Sequence, residues 1–71
     1  MPMAEALIQV NGTSEPLVAT LDALLAEKAV DTAQRGIAVA INGNVVPRAA
    51  WSVTTLRPGD RVEIVRARQG G

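Results

Sequence analysis

One segment of the sequence has a helical pattern, and segments with strand patterns lie on both sides of it. Within residues 21–29 the leucines recur at positions i, i+3 and i+4, and Thr20 before them is a good N-cap. Residues 6–10 and 37–41 alternate as β-strands do. Because a single amphipathic helix must bury its apolar face against a sheet, the sequence predicts a two-layer α+β domain.

Turn signals divide the rest of the chain into short strands. Asn11-Gly12 predicts a hairpin between a strand at 6–10 and a return strand at 13–18, because both turn residues tolerate positive φ. Pro16 and Pro47 lack an N–H group and place their strands at sheet edges. The other predicted elements are a polar loop at 30–36, a turn at 42–44, a short strand from 45, a single helical turn at 49–51, a turn at 57–60 and a last strand at 61–67. The predicted order is β-β-α-β-β-β.

The predicted core is aliphatic, because Trp51 is the only aromatic residue among 71. A chain this short forms one domain, residues 1–71, and has room for one core. Side chains on the inward faces of the helix and strands should fill it: Ile8, Val10, Leu21, Leu24, Leu25, Val39, Ile41, Val62 and Ile64.

The composition excludes several kinds of function. The formal net charge is zero, which argues against a nucleic-acid partner. The sequence has no Cys and no His, so it offers no disulfide, no thiol or imidazole catalyst and no predicted metal site. We see neither a signal peptide nor an apolar stretch long enough to span a membrane, and we expect a cytoplasmic protein.

The C-terminus is the one candidate reactive group. Gly70-Gly71 ends the sequence, and residues 67–71 follow the last predicted strand as an expected flexible tail. Such a tail can place its α-carboxylate inside the active site of another protein. Once activated as an acyl-adenylate, that carboxylate can accept sulfur and become a thiocarboxylate. This chemistry needs no catalytic side chain on the carrier itself, so we expect a carrier and not an enzyme.

A second candidate site is the sheet face opposite the helix. Small and aliphatic side chains have outward parity on three strands that we expect to be neighbours: Leu7, Ala38, Ala40, Val65 and Ala67. Contiguous exposed apolar surface often marks a contact site. With Arg66 and Arg68 at its tail end, this face is the predicted docking surface for partner enzymes.

Two stretches of the sequence resemble a known family. Residues 37–48, Ile-Ala-Val-Ala-Ile-Asn-Gly-Asn-Val-Val-Pro-Arg, with Trp51 close behind, resemble the ThiS family of thiamine-pathway sulfur carriers. So do residues 56–71, from Leu-Arg-Pro-Gly-Asp-Arg to the terminal Gly-Gly. The resemblance is sharp from residue 37 onward and loose before residue 20. It implies a ubiquitin-like β-grasp fold, with a mixed sheet of four to five strands packed on one helix.

The resemblance also implies a role in forming the thiazole ring of thiamine. A ThiF-like adenylyltransferase, using ATP and magnesium, would adenylate the carboxylate of Gly71. Gly70, which has no side chain, would let the tail enter a narrow channel. A sulfur donor enzyme would supply the sulfur, and a ThiG-like thiazole synthase would receive it. The carrier itself would bind no cofactor, and no nucleic acid or membrane would be a partner.

Three other interpretations stay open on the sequence alone. The chain could be the small subunit of a molybdopterin-synthase-like pair, although the Val-Val-Pro-Arg segment followed by Trp51 favours the thiamine branch. It could be a protein modifier joined through Gly71 to lysines of other proteins. It could also be an interaction module whose terminal glycines have no role.

Overall fold

One helix packs on a five-stranded mixed sheet, as the sequence predicts. The computed structural model describes residues 6–33 and 35–66. Its elements are β1 (Leu7–Val10), β2 (Thr13–Pro16), α1 (Leu21–Glu27), β3 (Ile37–Ile41), β4 (Asn44–Val46), a 3₁₀ helix (Arg48–Val53) and β5 (Arg61–Arg66). The strand order is β2-β1-β5-β3-β4, with β5 parallel to β1 and antiparallel to β3. The predicted α+β class and the β-grasp arrangement are confirmed. The two edge strands are β2, which ends at Pro16, and β4, which is followed by Pro47.

Two hairpins of the same turn type build most of the sheet. Asn11 and Gly12 have φ values of 50° and 85°, and Asn42 and Gly43 have values of 52° and 85°. Positive φ at both central residues is the type I′ turn, whose twist matches that of the strands it joins. The turns connect β1 to β2 and β3 to β4. The hairpin at Asn11-Gly12 is confirmed. The predicted turn at 42–44 is one residue shorter, because Asn44 already pairs with Ile41 as the first residue of β4.

The helix starts where predicted and ends two residues earlier. The Ala23 N–H donates to the Thr20 hydroxyl at 3.1 Å, which confirms the N-cap. At the other end the Ala29 N–H donates to the Ala26 carbonyl at 3.1 Å, and the Val30 N–H donates to the Leu25 carbonyl at 2.9 Å. This pair of bonds is a Schellman motif with Ala29 in the left-handed conformation at φ 58°.

The Schellman motif turns Val30 back into the core, where it is 7% exposed. The prediction of a polar loop over residues 30–36 is therefore wrong at its first residue. The physical reason is the hydrophobic contact that often accompanies this helix end, and Val30 and Leu25 both lie in the same buried cluster. Ile37, the first residue of β3, is also buried.

A single hydrophobic cluster fills the space between the helix and the sheet, as predicted. Seven of the nine predicted core residues are buried, and Ile41 and Ile64 are half-buried and pack against the cluster. Four residues join these nine in the cluster: Val30, Ile37, Trp51 and Leu56. Among the described residues, no buried side-chain nitrogen or oxygen lacks a hydrogen bond.

The 3₁₀ helix closes one side of the core through Trp51. The sequence predicts a single turn at 49–51, but the helix extends over Arg48–Val53. Trp51 is 3% exposed, and its indole N–H donates to the Val46 carbonyl at 2.9 Å. The Arg48 guanidinium lies 4.5 Å from the centroid of the indole ring and donates to the Thr32 carbonyl. Arg48 therefore ties the 3₁₀ helix to the segment that leads from α1 to β3.

Candidate functional site: the end of β5 and the outer sheet face

The predicted reactive tail follows directly from the central strand of the sheet. The last described residue, Arg66, ends β5 and pairs with Ile37 at the start of β3. The predicted flexible tail 67–71, and with it the candidate site residues Ala67, Arg68, Gly70 and Gly71, lie outside the described residues. The site as described is therefore the point where the tail begins and the surfaces around it.

Side chains from both hairpin turns hold β5 in place. The Asn11 side chain accepts from the Ile64 N–H at 2.8 Å and donates to the Ile64 carbonyl at 3.4 Å. The Asn42 side chain accepts from the Arg61 N–H at 2.9 Å and donates to the Asp60 carboxylate at 3.0 Å. The two asparagines therefore provide hydrogen bonds to β5 as well as the φ values of their turns. This network fixes the strand from which the tail leaves.

An apolar patch lies on the outer sheet face near the end of β5. In the sheet register Ala38 pairs with Val65, and Ala40 pairs with both Glu63 and Val45. Paired residues project on the same face of a sheet, so these side chains are neighbours. Val65 is 58% exposed and Val45 is 75% exposed. We call the group Ala38, Ala40, Val45 and Val65 the outer patch.

Three of these four residues belong to the predicted docking face, and Val45 does not. The signal that could have found it is the strand register. A two-residue turn at Asn42-Gly43 sets Val45 opposite Ala40, so it takes the same outward face.

Leu7 is on the outer face but apart from the outer patch. The parallel strands β1 and β5 are in register at Gln9 and Arg61. Leu7 lies two residues before Gln9 on β1, and Val65 lies four residues after Arg61 on β5, so the two side chains are about six residues apart along the strands. At about 3.3 Å per residue, Leu7 lies roughly 20 Å from Val65 along the strand direction. Leu7 is 43% exposed, and its carbonyl accepts from the Gly59 N–H at 2.7 Å. The structure therefore brings together Ala38, Ala40 and Val65 but leaves Leu7 at the other end of the sheet.

Arg66 lies on the face opposite the outer patch. Its partner in the register, Ile37, is buried on the helix side, so the Arg66 side chain projects to that side too. There it borders an open groove of 520 Å³ together with Val30, Ile64 and Lys28. Lys28 forms an ion pair with Glu15 at the groove wall.

The described residues offer surfaces for binding. No group of three or more Asp or Glu side chains in the described ranges could hold a metal ion. None of the helices in residues 6–33 and 35–66 is long and apolar enough to cross a membrane. The described surface can therefore support recognition, while the predicted reaction would take place on the C-terminal carboxylate.

Comparison with known proteins identifies the family. The model of the ThiS family matches residues 5–71, which is nearly the whole sequence and includes the terminal Gly70-Gly71. The chain belongs to the ThiS family. A comparison with curated proteins gives no match.

Solved structures of a ThiS protein have the same fold. The crystal structure of thiamine biosynthesis protein ThiS from Geobacter metallireducens is 30% identical in sequence and has a TM-score of 0.74, with 92% of this chain and 99% of that chain covered. The solution NMR structure of a thiamine biosynthesis protein from the same organism is also 30% identical, with a TM-score of 0.72, 92% of this chain and 87% of that chain covered. ThiS family membership confirms the predicted resemblance and supports a role as a sulfur carrier.

Proposed function

We propose that this protein is a sulfur carrier of thiamine biosynthesis that delivers sulfur from its own C-terminus and catalyses no reaction itself. The observation that carries the proposal is the match of the ThiS family model, which runs to the last residue and so takes in Gly70-Gly71. The solved relatives named as thiamine biosynthesis proteins support the same pathway.

The proposed reaction activates the Gly71 carboxylate in two steps. First, a carboxylate oxygen attacks the α-phosphate of ATP, pyrophosphate leaves, and an acyl-adenylate forms. Then hydrosulfide attacks the carbonyl carbon, the bond to AMP breaks, AMP and a proton leave, and a thiocarboxylate remains. The activating partner, a ThiF-like adenylyltransferase, would supply ATP and magnesium, and a sulfur donor enzyme would supply the sulfur. The carrier needs no bound cofactor for either step.

The tail is long enough for Gly71 to react inside a partner while the folded body docks on the partner's surface. Five residues follow Arg66, and at about 3.3–3.6 Å each they reach roughly 17 Å from the folded body. That reach allows Gly71 to enter a nucleotide pocket while the body stays outside it. Glycine at position 70 has no side chain to obstruct a narrow channel. Ordering the tail costs about 1–2 kcal/mol per residue, which docking of the body must offset.

We place the docking of the body on the outer patch. Its apolar side chains lie on the neighbouring strands β3, β4 and β5, and β5 leads directly to the tail. A partner seated on this face would hold the start of the tail beside its own active site. The activating enzyme would use this surface first, and a ThiG-like thiazole synthase would use it next, when it accepts the sulfur. Arg66 projects from the face opposite the outer patch, so its charge would lie beside the start of the tail and not on the patch, and Arg68 would add positive charge in the tail.

ATP–pyrophosphate exchange with the purified activating partner tests the first step. We expect exchange with the intact chain, none with the chain that lacks Gly71, and reduced exchange with Gly70→Val, since the added side chain hinders threading. The variants should unfold at the same urea concentration as the wild type. Undiminished exchange by the chain without Gly71 would contradict the proposal. Ladders of tagged conjugates on denaturing gels would point to a protein modifier instead.

A further inference from the structure

The two Asn-Gly turns of the sheet are closely matched in sequence and backbone. In each turn a β-branched residue precedes the asparagine and a glycine follows it: Val10-Asn11-Gly12 and Ile41-Asn42-Gly43. Both asparagines are exposed. Their backbone N–H groups donate to carbonyls of β5 at 2.9 Å for Asn11 and 2.8 Å for Asn42. The two turns therefore form a natural comparison within one molecule.

An asparagine that precedes a glycine can lose its side-chain amide. The glycine nitrogen bonds to the asparagine Cγ atom, its proton and the NH₂ group leave together as ammonia, and a cyclic imide forms. Water then opens the ring to aspartate or to isoaspartate, whose main chain is longer by one carbon. Among the described residues no acceptor engages the N–H of Gly12 or Gly43. The space beside each glycine is also open, so either nitrogen can attack.

The hydrogen bonds of the side chains distinguish the two asparagines, because a side chain must leave these bonds before Cγ can reach the glycine nitrogen. Asn11 Oδ1 accepts from the Ile64 N–H at 2.8 Å, and Asn42 Oδ1 accepts from the Arg61 N–H at 2.9 Å. Asn42 Nδ2 donates to the Asp60 carboxylate at 3.0 Å. Asn11 Nδ2 lies 3.4 Å from the Ile64 carbonyl, beyond the usual limit of about 3.2 Å. Two good bonds therefore hold Asn42, and one holds Asn11.

Asp60 restrains Asn42 in two further ways. Its carboxylate is fixed in place, since it also accepts from the Arg57 N–H at 2.9 Å, and an ionised acceptor forms a stronger hydrogen bond than a carbonyl does. Its negative charge also disfavours loss of the proton from the attacking Gly43 nitrogen. Both effects slow the reaction at Asn42.

We infer that Asn11 is a deamidation site of the folded protein that reacts ahead of Asn42, and that its reaction loosens the end of β5. The register pairs β1 with β5 at Arg61 and Val62. Beyond Val62 the Asn11 side chain takes the place of β1, because it contacts the N–H and the carbonyl of Ile64. The isoaspartyl product lengthens the main chain of a two-residue turn, so the turn geometry and these contacts are lost together. The modified residue would thus release the part of β5 that leads to the C-terminus.

The full chain, kept in warm neutral buffer, tests the order of reaction. Trypsin separates the two asparagines into peptides 1–28 and 36–48, and mass spectrometry with fragmentation follows the conversion of each amide to an acid. In the folded protein Asn11 should convert about two- to tenfold faster than Asn42, the factor that one net hydrogen bond contributes. In concentrated urea the two rates should be equal, because the neighbours in sequence are matched. Equal rates in the folded protein, or a faster reaction at Asn42, would overturn the inference.

Two substitutions of Asp60 test the reason for the difference. Asp60→Ala removes the acceptor and should bring the ratio of the Asn11 and Asn42 rates close to one. The control Asp60→Asn keeps an oxygen acceptor and should retain most of the difference. Using the ratio corrects for any change in overall stability. An unchanged ratio in Asp60→Ala would contradict the inference, and if that variant fails to fold, as judged by circular dichroism, the comparison within the wild type still decides.

Amide hydrogen exchange tests the effect on β5. The chain with isoaspartate at position 11 is separated by ion exchange through its added negative charge and compared with the unmodified chain by NMR. The Ile64 amide should exchange about two- to tenfold faster after the modification, because its acceptor is lost. The Glu63 amide is the control, since Glu63 pairs with Ala40 of β3 and its backbone groups point away from Asn11. Unchanged exchange at Ile64 would show that the modification does not loosen β5.

Discussion

Replacing Ala29 by glycine should stabilise the protein. Ala29 has a φ of 58°, a conformation that an L-residue adopts at a cost of about 1–2 kcal/mol. Glycine removes that cost but adds about 0.4–1 kcal/mol of unfolded-chain entropy to be lost on folding. The difference favours Ala29→Gly by about 1 kcal/mol. For a domain of this size that free energy raises the Tm by about 4–8 °C.

Denaturation of the variant can be followed through Trp51, the single aromatic residue and 3% exposed in the folded protein. Urea titrations of the wild type and Ala29→Gly give the change in the free energy of unfolding. Ala26→Gly is the matched control, because Ala26 is an exposed residue inside α1. There glycine should destabilise by about 0.5–1 kcal/mol. If both substitutions destabilise the protein alike, the assignment of a Schellman motif at the helix end is wrong.

Three further predictions concern the core, the outer patch and the 3₁₀ helix. Leu24→Ala, at a residue with no exposed surface, should lower the free energy of unfolding by about 2–5 kcal/mol in the same urea titration; a loss near zero would mean that the core is misplaced. Val65→Asp should weaken ATP–pyrophosphate exchange by the activating partner. The control Val53→Asp changes an exposed valine on the 3₁₀ helix, 76% exposed, and should leave the exchange unchanged. Equal effects of the two variants would show that the outer patch is not the docking surface. Arg48→Lys should cost about 0.5–1 kcal/mol of stability, since an ammonium cannot replace the stacked guanidinium, and an unchanged urea midpoint would contradict this.

The sequence was sufficient to predict the elements whose signals are local. Both Asn-Gly pairs determine type I′ turns by their tolerance of positive φ, and Thr20 determines the helix start through a bond three residues away. Alternation with period two predicted that Val39, Ile41, Val62 and Ile64 face the helix, and the register confirms it. It did not identify Ile37, and Arg66 was wrongly assigned to the docking face. The fold class followed because one amphipathic helix and several short strands have few ways to cover one another.

Features that depend on tertiary contacts could not be predicted in this way. Ala29 takes a conformation usually marked by glycine, so no local signal indicated that Val30 would turn inward. The contacts of Arg48 with the Trp51 ring and the Thr32 carbonyl join segments that are distant in sequence. The separation of Leu7 from the outer patch follows from the parallel pairing of β1 with β5, which face parity alone does not reveal.

The same limit applies to the site. The terminal Gly70-Gly71 could be recognised because carboxylate chemistry needs only the end of the chain. The ion pair between Glu15 and Lys28 could not, since it joins a strand and a helix end that only the folded chain brings together.

The mass of the C-terminal peptide after a complete sulfur-transfer reaction tests the central claim most directly. The intact chain is incubated with its activating partner, ATP, magnesium and a sulfur donor, then digested with trypsin. We expect the peptide Gln69-Gly70-Gly71 to gain the mass of one sulfur in place of one oxygen, and the chain lacking Gly71 to gain nothing. A sulfur adduct on any other peptide, or sulfur transfer to the thiazole synthase by the chain without Gly71, would contradict it.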